Sequence, residues 1–375
     1  MQLRKSFFLL MLISTTAIAS SAAQAGSFSG LGGLGAPATN FAYDVSADGS
    51  TVVGRSISPG APQAFVWKSA TGMQGIGDLP GGQVSSVANG VSGDGRVVVG
   101  EGNDAFFANE AFIWNATNGM TGLGFLSGSA TSRANGVSSD GAKVVGQTAG
   151  GRLEAFVWDA TNGMQGLGDL AGGSDSSAAL DISADGSTIV GRGTSGLGVE
   201  AFVWDATNGM VGLGDLPGGA YSSYASGVSA NGAVVVGRGT SASGSEAMIW
   251  DATNGLRGAG DLDGGRFLSQ FNDVSANGSI VVGKGSGAAG ERAVIWDATH
   301  GMQELSVFLN ALGINTTGWT LSEAAAISDD GLTIVGTGTN PSGLTEGWIA
   351  VIPEPGTALL MGLGLAGLAS RRRSA

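Results

Sequence analysis

The stretch that decides the fold is residues 178–216, AALDISADGSTIVGRGTSGLGVEAFVWDATNGMVGLGDL. It predicts four short strands: Ala178–Ser183, Ser187–Gly191, Glu200–Trp204 and 210–216. The pair Asp185-Gly186 favours a tight turn between the first two, because these residues tolerate positive φ. The second strand is rich in β-branched residues and the third alternates polar and apolar side chains, as strands do. The stretch therefore predicts an up-and-down sheet of four strands.

The same unit is repeated along most of the chain. Its turn glycine, within variants of Val-Ser-x-Asp-Gly-x-x-Val-Val-Gly, recurs at Gly49, Gly95, Gly141, Gly186, Gly232, Gly278 and Gly331. The intervals between these glycines are 46, 46, 45, 46, 46 and 53 residues. A period near 46 residues is typical of the blades of a β-propeller, which are four-stranded sheets, rather than of short solenoid coils.

The two ends of the repeat array are complementary. The seventh unit has three predicted strands, of which the last is Glu346–Ala350, and no segment for a fourth strand. Near the N-terminus, Phe28–Leu34 matches the fourth strand of the other units. We therefore predict an all-β, seven-bladed β-propeller over residues 26–352, closed by the N-terminal strand. Such closure removes the open sheet edges that invite aggregation.

Three features predict how the units pack. The first strand of each unit consists of small residues, as in Ser86–Gly90, which places it innermost, where the units converge. At one equivalent position, six third strands carry a tryptophan: Trp67, Trp114, Trp158, Trp204, Trp250 and Trp296. We interpret these as packing between neighbouring blades, with an aromatic ligand cage as the alternative. The longest interval contains 304–319, which predicts a short helix before Gly313 that covers the seam of the ring together with Trp319.

Composition excludes several other classes of protein. Glycine accounts for 69 of 375 residues, a density that opposes helix bundles and doubly wound α/β sheets. The net charge is −13; apart from Arg4, Lys5, Arg371–Arg373 and Glu354, the chain carries 29 acids against 12 bases, or −17. This charge repels a phosphate backbone, so we expect no nucleic-acid partner. Cysteine is absent, and the single histidine, His300, occupies a turn position that holds Asn in other units.

Residues 1–25 have the pattern of a secretory signal peptide. Arg4 and Lys5 precede an apolar run at 7–13, and Ala23 and Ala25 provide small residues at the −3 and −1 positions of a cleavage site. The apolar run is too short for a stable membrane span. We therefore expect an exported protein.

Residues 353–375 have a second targeting pattern. Pro353, Glu354 and Pro355 precede an apolar run at 357–370, which is followed by three arginines. As a helix this run reaches only ~21 Å, against ~30 Å of hydrocarbon, so we expect a marginal membrane anchor with the arginines on the cytoplasmic side. The order of these parts resembles the PEP-CTERM sorting signal of biofilm-forming Gram-negative bacteria. That resemblance implies an exosortase, a membrane transpeptidase-like enzyme, as processing partner and transient anchoring in the inner membrane. An anchor that is never processed is the alternative.

The repeats also resemble a known family. Ala-Phe-Val-Trp at 201–204, Asn-Gly-Met at 208–210 and Gly-Leu-Gly-Asp-Leu at 212–216 are similar to the HAF-type extracellular repeat, and the resemblance extends over Phe28–Val351. Before Ala-Phe this chain has Glu or Gln where the family name implies His. The resemblance implies export, often with a PEP-CTERM tail, and leaves the biochemical role undefined.

Most acidic residues recur at equivalent positions, which indicates a role in the fold rather than in catalysis. Asn231 and Asn277 replace Asp in the tight turn, so we expect geometry rather than charge to matter there. The non-recurring acids are exemplified by Asp104, Asp175, Asp263 and Glu323. They leave a propeller glycosidase or lyase as an alternative, which would need two carboxylates about 5–9.5 Å apart. We expect no enzyme and no resident cofactor, with calcium held by turn oxygens as an alternative.

The candidate ligand face is predicted from the connections between fourth and first strands, which differ most in chemistry between units. In a propeller these connections share one face, where loops vary on a fixed scaffold. The candidate residues are Arg133, Asp175, Tyr221, Tyr224, Arg266 and Phe267. Aromatic side chains beside polar groups suit contact with extracellular polysaccharide. We therefore expect a non-enzymatic binding and scaffold protein at the cell surface or in the extracellular matrix. A coat protein that assembles through packing of rings is a further alternative.

Overall fold

Short antiparallel strands dominate the computed structural model, which describes residues 26–35, 39–57, 61–82, 85–106 and 108–353. The predicted signal peptide with Ala23 and Ala25, and the sorting segment from Glu354 and Pro355 onward, lie outside these residues. Pro353 lies two residues after the end of the last strand. Within the described ranges, no helix has the length and apolarity that crossing a membrane requires.

The strands form seven consecutive units, which we number one to seven. A single strand, β1 (Ser27–Gly30), precedes them. Unit one contains β2 (Thr39–Val45), β3 (Val52–Ile57), β4 (Pro62–Lys68) and β5 (Gly72–Gly75). Unit two contains β6 (Ser86–Val91), β7 (Val98–Asn103), β8 (Asn109–Asn115) and β9 (Gly119–Gly122). Unit three contains β10 (Thr131–Val137), β11 (Lys143–Ala149), β12 (Leu153–Asp159) and β13 (Gly163–Gly166). Unit four contains β14 (Gly172–Ile182), β15 (Ile189–Ser195), β16 (Gly198–Asp205) and β17 (Gly209–Gly214).

The remaining units follow the same order. Unit five contains β18 (Tyr224–Val228), β19 (Val234–Ser241), β20 (Gly244–Asp251) and β21 (Gly255–Gly258). Unit six contains β22 (Gly264–Val274), β23 (Val281–Gly287), β24 (Gly290–Asp297) and β25 (Gly301–Glu304). The helix α1 (Leu305–Ala311) precedes unit seven, which contains β26 (Thr320–Ile327), β27 (Thr333–Thr339) and β28 (Thr345–Val351).

Each unit is an antiparallel sheet in which consecutive strands pair. Units three and four, and units five and six, are joined into eight-stranded sheets by single parallel pairs, Leu153 with Ser176 and Ser245 with Leu268. The other sheets have four strands, and no sheet closes upon itself in the described part of the chain. The prediction of an all-β fold is therefore confirmed.

The last sheet takes its fourth strand from the N-terminus. β1 pairs with β28 in antiparallel register, with Ser27 opposite Val351 and Gly30 opposite Trp348. The pairing continues one residue further, where the Leu31 N–H donates to the Gly347 carbonyl at 2.9 Å. The predicted pairing between the N-terminal strand and the last unit is present.

The first strands lie against one another. Each contacts the first strand of the next unit, and β26 also contacts β2. Backbone bonds accompany several of these contacts; the Ala47 N–H donates to the Gly93 carbonyl at 3.1 Å, and the Asp329 N–H to the Ala47 carbonyl at 3.2 Å. Small side chains permit this approach, since Ala88 and Ala134 at equivalent positions are fully buried. Large side chains at most of these positions would keep the strands apart.

The core lies between neighbouring units. Trp114 of unit two, for example, packs with Val53 and Val66 of unit one. The five other tryptophans of this series lie in equivalent clusters, so the prediction that they pack between units is confirmed. They are partly rather than fully buried.

The predicted helix is α1, which lies against β24 and β25 of unit six and packs its apolar side chains toward unit seven. Leu305 and Leu309 are fully buried in a cluster that includes Trp348. Trp319 packs edge-to-face on Phe28 of β1, with ring centroids 5.3 Å apart. The segment therefore clasps the N-terminal strand against unit seven, as the sequence predicts.

The predicted strand ends differ from the structure in unit four. The predicted second strand ends at Gly191 and the predicted third begins at Glu200, but β15 and β16 continue their pairing to Ser195 opposite Gly198. A tight turn then joins them, because Gly198 adopts a φ of 147° that L side chains rarely adopt. Apart from this, the order of strands follows the prediction.

Candidate functional site

The recurring turn acids hold the fold together. In the first unit the Asp48 carboxylate accepts from Ser46 Oγ at 2.7 Å and from the Ser50 N–H at 2.9 Å. Asn231 accepts equivalent bonds from Ser229 Oγ at 3.0 Å and the Ala233 N–H at 3.1 Å. The amide thus replaces the carboxylate, which confirms that geometry rather than charge governs this position.

The recurring acids elsewhere also satisfy backbone donors. Glu200 accepts from the Gly214 N–H at 3.0 Å, and Glu110 accepts from the Gly124 N–H at 2.8 Å. Asp215 accepts from the N–H groups of Ser222 and Thr240. Buried donors of this kind need a partner, so these acids have a structural role. The single histidine fits the same pattern, because the His300 N–H donates to Asp297 within a turn at 2.9 Å.

A narrow channel runs between the first strands. It consists of two adjoining cavities of about 100 and 220 Å³, and each is lined by residues from the first strands of all seven units. The smaller cavity lies toward the Asp-Gly turns, beside Ala47 and Gly93. The larger lies toward the beginnings of the first strands, beside Tyr43 and Asn89.

Charged and aromatic side chains surround the wider end of this channel. They stand at one position of the first strands and at the paired position of the second strands, although some strands carry a neutral residue there, such as Val87 or Thr337. We call this set the channel rim and include in it Tyr43 beside the same opening. Its members are Phe41, Tyr43, Arg55, Glu101, Arg133, Arg192, Tyr224, Arg238, Lys284 and Glu323. Five of them are cations and two are acids, although residues 26–352 together carry 29 acids against 12 bases.

Tyr224 is the centre of one half of the rim. The guanidinium of Arg238 lies 4.4 Å from its ring centroid and that of Arg192 lies 5.1 Å away. Burial raises the pKa of Tyr224, but hydrogen bonds from Arg192, Ser222 and Arg238 outweigh burial and leave the pKa below its usual value. The ion pairs among the described residues include neither Arg192 nor Arg238. Their charges are therefore available to an anion.

The opposite half of the rim has a second cation–aromatic group. Arg55 lies 4.7 Å from the ring centroid of Phe41 and 5.9 Å from that of Tyr43, and the two rings stack with centroids 6.3 Å apart. The other two rim cations have acidic partners. Arg133 lies 3.7 Å from Glu101, and Lys284 lies 3.6 Å from Glu323.

Three aspartates on first strands line the channel below the rim. Each bridges two units, because one carboxylate oxygen accepts from the next backbone N–H and the other from a first strand of the following unit. Asp44 bonds to Val91 at 2.8 Å, Asp181 to Val228 at 2.9 Å and Asp273 to Ile327 at 2.8 Å. Burial raises the pKa of Asp44 to about 7 and that of Asp181 to about 6, and it raises the pKa of Asp273 as well.

The six predicted ligand-face residues do not form one cluster. Arg133 and Tyr224 belong to the channel rim. Asp175 pairs with Arg152 at 2.6 Å. Burial, and after it the charge of Glu200, raises the pKa of Tyr221 to about 12. Arg266 and Phe267 are exposed near the beginning of β22.

Most of these residues lie in strands rather than in the predicted connections, which corrects the expectation. Arg133 and Tyr224 are inside β10 and β18, while Asp175, Arg266 and Phe267 are inside long first strands. β14 and β22 begin early because Gly172 and Gly264 pair with the extended ends of the second strands. Tyr221 alone of the six precedes its strand.

Sequence reasoning missed the cations on the second strands and the three first-strand aspartates that line the channel. Both sets differ between units, so a search for recurring motifs passes over them. Alignment of the residue before Val-Ser would have found the aspartates, because Gly90, Gly136 and Gly227 occupy that position in other units. The residue after the second-strand glycine, as in Gly54-Arg55, is the position at which the sequence would have indicated the rim.

No group of three or more His, Asp or Glu side chains in the described ranges is arranged to hold a metal ion. The three first-strand aspartates that line the channel are not arranged to hold a metal ion either. Their oxygens serve backbone N–H groups instead.

Comparison with known proteins identifies the C-terminal segment and the fold. Residues 351–373 match the PEP-CTERM protein-sorting motif, which confirms the predicted sorting signal around Pro353, Glu354 and Pro355. A protein with this signal is exported. No curated protein matches the chain.

Solved structures of propeller-like proteins resemble the fold. An oligogalacturonate lyase in complex with manganese aligns with a TM-score of 0.54 and 14% identity over 90% of this chain and 95% of its own. The oligogalacturonate lyase of Vibrio parahaemolyticus gives a TM-score of 0.52 and 11% identity over 88% and 98%. TolB from Acinetobacter baumannii gives 0.45 and 13% over 84% of this chain, which spans 64% of the TolB structure. At these identities the likeness concerns the fold alone.

Proposed function

We propose that the exported chain is a non-enzymatic binding and scaffold protein, built as a closed seven-bladed ring whose channel rim binds acidic extracellular polysaccharide. The sorting signal is the substrate signal of an exosortase, which we propose as its processing partner. A HAF-type repeat protein at the surface or in the matrix fits these features.

The contacts between first strands support a closed ring. β26 of unit seven contacts β2 of unit one, and β1 completes the sheet of unit seven. Both cavities of the channel are lined by residues of every unit. In such a ring, each unit is one blade and the rim encircles one mouth of the channel.

One observation carries the choice of ligand. The rim holds five of the 12 basic residues in the range 26–352, although this range as a whole has a net charge of −17. Arg192 and Arg238 flank an aromatic ring, and ion pairs between the described side chains leave both cations unneutralised. A carboxylate pairs with guanidinium groups, and Tyr224 holds Arg192 and Arg238 side by side, so a uronate unit of an acidic polysaccharide can engage both cations.

An enzyme is the second candidate, and the structural neighbours named as oligogalacturonate lyases motivate it. Their likeness extends to the fold, and the residues described here offer no set of metal ligands to match the manganese of one of them. The same acidic polymer therefore tests both ideas, because lyase activity would shorten it and create unsaturated ends.

The test is titration of the purified unit Gly26–Ile352, which forms one compact body, with polygalacturonate oligomers. We expect binding that weakens as salt rises, and no change in the length of the oligomer. The double variant Arg192→Gln, Arg238→Gln should weaken binding by at least about tenfold, since each lost charged hydrogen bond is worth roughly 1.5–3 kcal/mol.

A charge-matched control comes from an outer strand. Arg257 lies on β21 and pairs with Asp251, so Arg257→Gln removes one positive charge away from the rim and is matched in charge to the single variant Arg238→Gln. It should leave affinity unchanged. Equal losses in both variants would reduce the effect to net charge, and depolymerisation of the oligomer would favour the lyase.

A further inference from the structure

We propose a second kind of binding site, in which two grooves between units each hold one neutral hexopyranose unit. The first groove lies between units one and two, and the second between units three and four. We call them the 1–2 groove and the 3–4 groove. The grooves do not include the channel rim, so binding of a neutral sugar in them is independent of the binding of an acidic ligand at the rim.

The two grooves are built from equivalent parts. The 1–2 groove has a volume of about 680 Å³ and the 3–4 groove about 570 Å³, within the range of small-molecule sites. Each is walled on one side by the outer hairpin of the earlier unit. The other side consists of the Asp-Gly turn and the third-strand tryptophan of the later unit, Trp114 or Trp204.

A glutamine stands opposite each tryptophan and is held by its own turn. Gln74 Nε2 donates to the Thr71 carbonyl at 3.1 Å, and Gln165 Nε2 donates to the Asn162 carbonyl at 2.9 Å. This bond fixes the amide and leaves its carbonyl oxygen as an acceptor. The combination of an indole wall with an oriented amide is suited to a sugar, whose C–H face packs on the ring while its hydroxyls donate.

The charges of the two grooves indicate that a shared ligand is neutral. The 1–2 groove contains Lys68 and Arg96. The 3–4 groove contains Asp159 and Asp205, whose pKa values are lowered by hydrogen bonds within their turns, against one cation, Lys143, whose ammonium donates to the Gly186 carbonyl. An anion would suit the first groove and oppose the second, and a cation would do the reverse. The features common to both are tryptophan, glutamine, threonine and valine.

Unit six provides a matched control. Gln303 occupies the position of Gln74 and Gln165, since it follows Met302 opposite Trp296 just as Gln74 follows Met73 opposite Trp67. The next unit, however, carries Ala350 where the others have tryptophan. A glutamine is therefore present there without the indole wall.

The experiment is calorimetric titration of Gly26–Ile352 with maltose, cellobiose and lactose, with heteronuclear spectra of the indole N–H groups alongside. We expect at least one disaccharide to bind at two sites per chain and to shift the Trp114 and Trp204 resonances. Gln74→Leu and Gln165→Leu should each weaken one site by about tenfold, equivalent to about 1.4 kcal/mol. Gln303→Leu should change nothing, and all three side chains are replaced at the surface or near it, so folding is retained.

The proposal is wrong if no neutral disaccharide binds, or if the number of sites differs from two. It is also wrong if Gln303→Leu weakens binding as much as Gln74→Leu. Arg192→Gln with Arg238→Gln should leave disaccharide binding intact, which distinguishes failure at the grooves from failure at the rim.

Discussion

Glycines on the second strands show how single residues determine the spacing of these sheets. The seven positions are Gly54, Gly100, Gly146, Gly191, Gly237, Gly283 and Gly336. A Cβ atom at Gly237 would overlap the carbonyl oxygen of Tyr224 on the neighbouring first strand, and the other positions face an equivalent oxygen. The glycine of the Val-Val-Gly motif thus permits close approach of the first and second strands. The residue that follows it stands at a rim position.

Gly237→Ala should destabilise the protein by roughly 1–3 kcal/mol, because the added methyl group must push the first strand away. Chemical denaturation measures this change. Gly151→Ala is the control, since a Cβ there meets no atom within 4 Å. It should stay within about 0.5 kcal/mol of the parent, and an equal loss at both positions would contradict the role of the close approach.

At the scale of elements, the N-terminal strand holds the first and last units together. Leu31, 4% exposed, packs in one cluster with Phe65 of unit one and Ile349 of unit seven. α1 and Trp319 cover the same strand from the other side. The strand therefore adds apolar burial as well as backbone pairing to this join.

Leu31→Ala should cost about 2–5 kcal/mol in free energy of unfolding, the usual cost of truncating a buried leucine. Val211 on the outer strand β17 is 51% exposed, so Val211→Ala should change stability by less than about 0.5 kcal/mol. If the two variants unfold at the same denaturant concentration, the N-terminal strand is not packed as described.

Strand order and the pairing of chain ends were predictable because each unit repeats its pattern and its turns use residues with specific φ preferences. The helix at 305–311 followed from a single irregular interval. The lengths of β14 and β22 were not predictable, because glycine pairs such as Gly172-Gly173 fit a loop as well as a strand. Apart from Arg133 and Tyr224, the rim escaped prediction because its residues vary between units and only the pairing of strands brings them together.

At the scale of the whole molecule, ionisation in the channel opposes stability at neutral pH. The folded-state pKa values of Asp44 and Asp181 are raised from 3.8 to about 7 and about 6. Between about pH 4 and pH 7 the folded chain therefore holds protons that the unfolded chain releases. Asp44 and Asp181 therefore carry no ionisation penalty below this window, and stability falls as pH rises through it. Turn aspartates such as Asp94 and Asp140 have lowered pKa values, and their contribution is lost below about pH 4.

We therefore expect the midpoint of thermal unfolding to be higher at pH 4.5 than at pH 8. Asp181→Gly, which introduces the residue present in units two, three and five, should flatten this dependence. Scanning calorimetry across the range measures both. A midpoint that rises steadily from pH 5 to pH 8 would contradict the raised pKa values.

The most direct test of the central claim is a crystal structure of Gly26–Ile352 with a bound trigalacturonate. We predict a galacturonate carboxylate within hydrogen-bond distance of Arg192 and Arg238, beside Tyr224, at one mouth of a ring of seven four-stranded sheets. A ligand bound away from the rim, or first strands that leave unit seven apart from unit one, would contradict it.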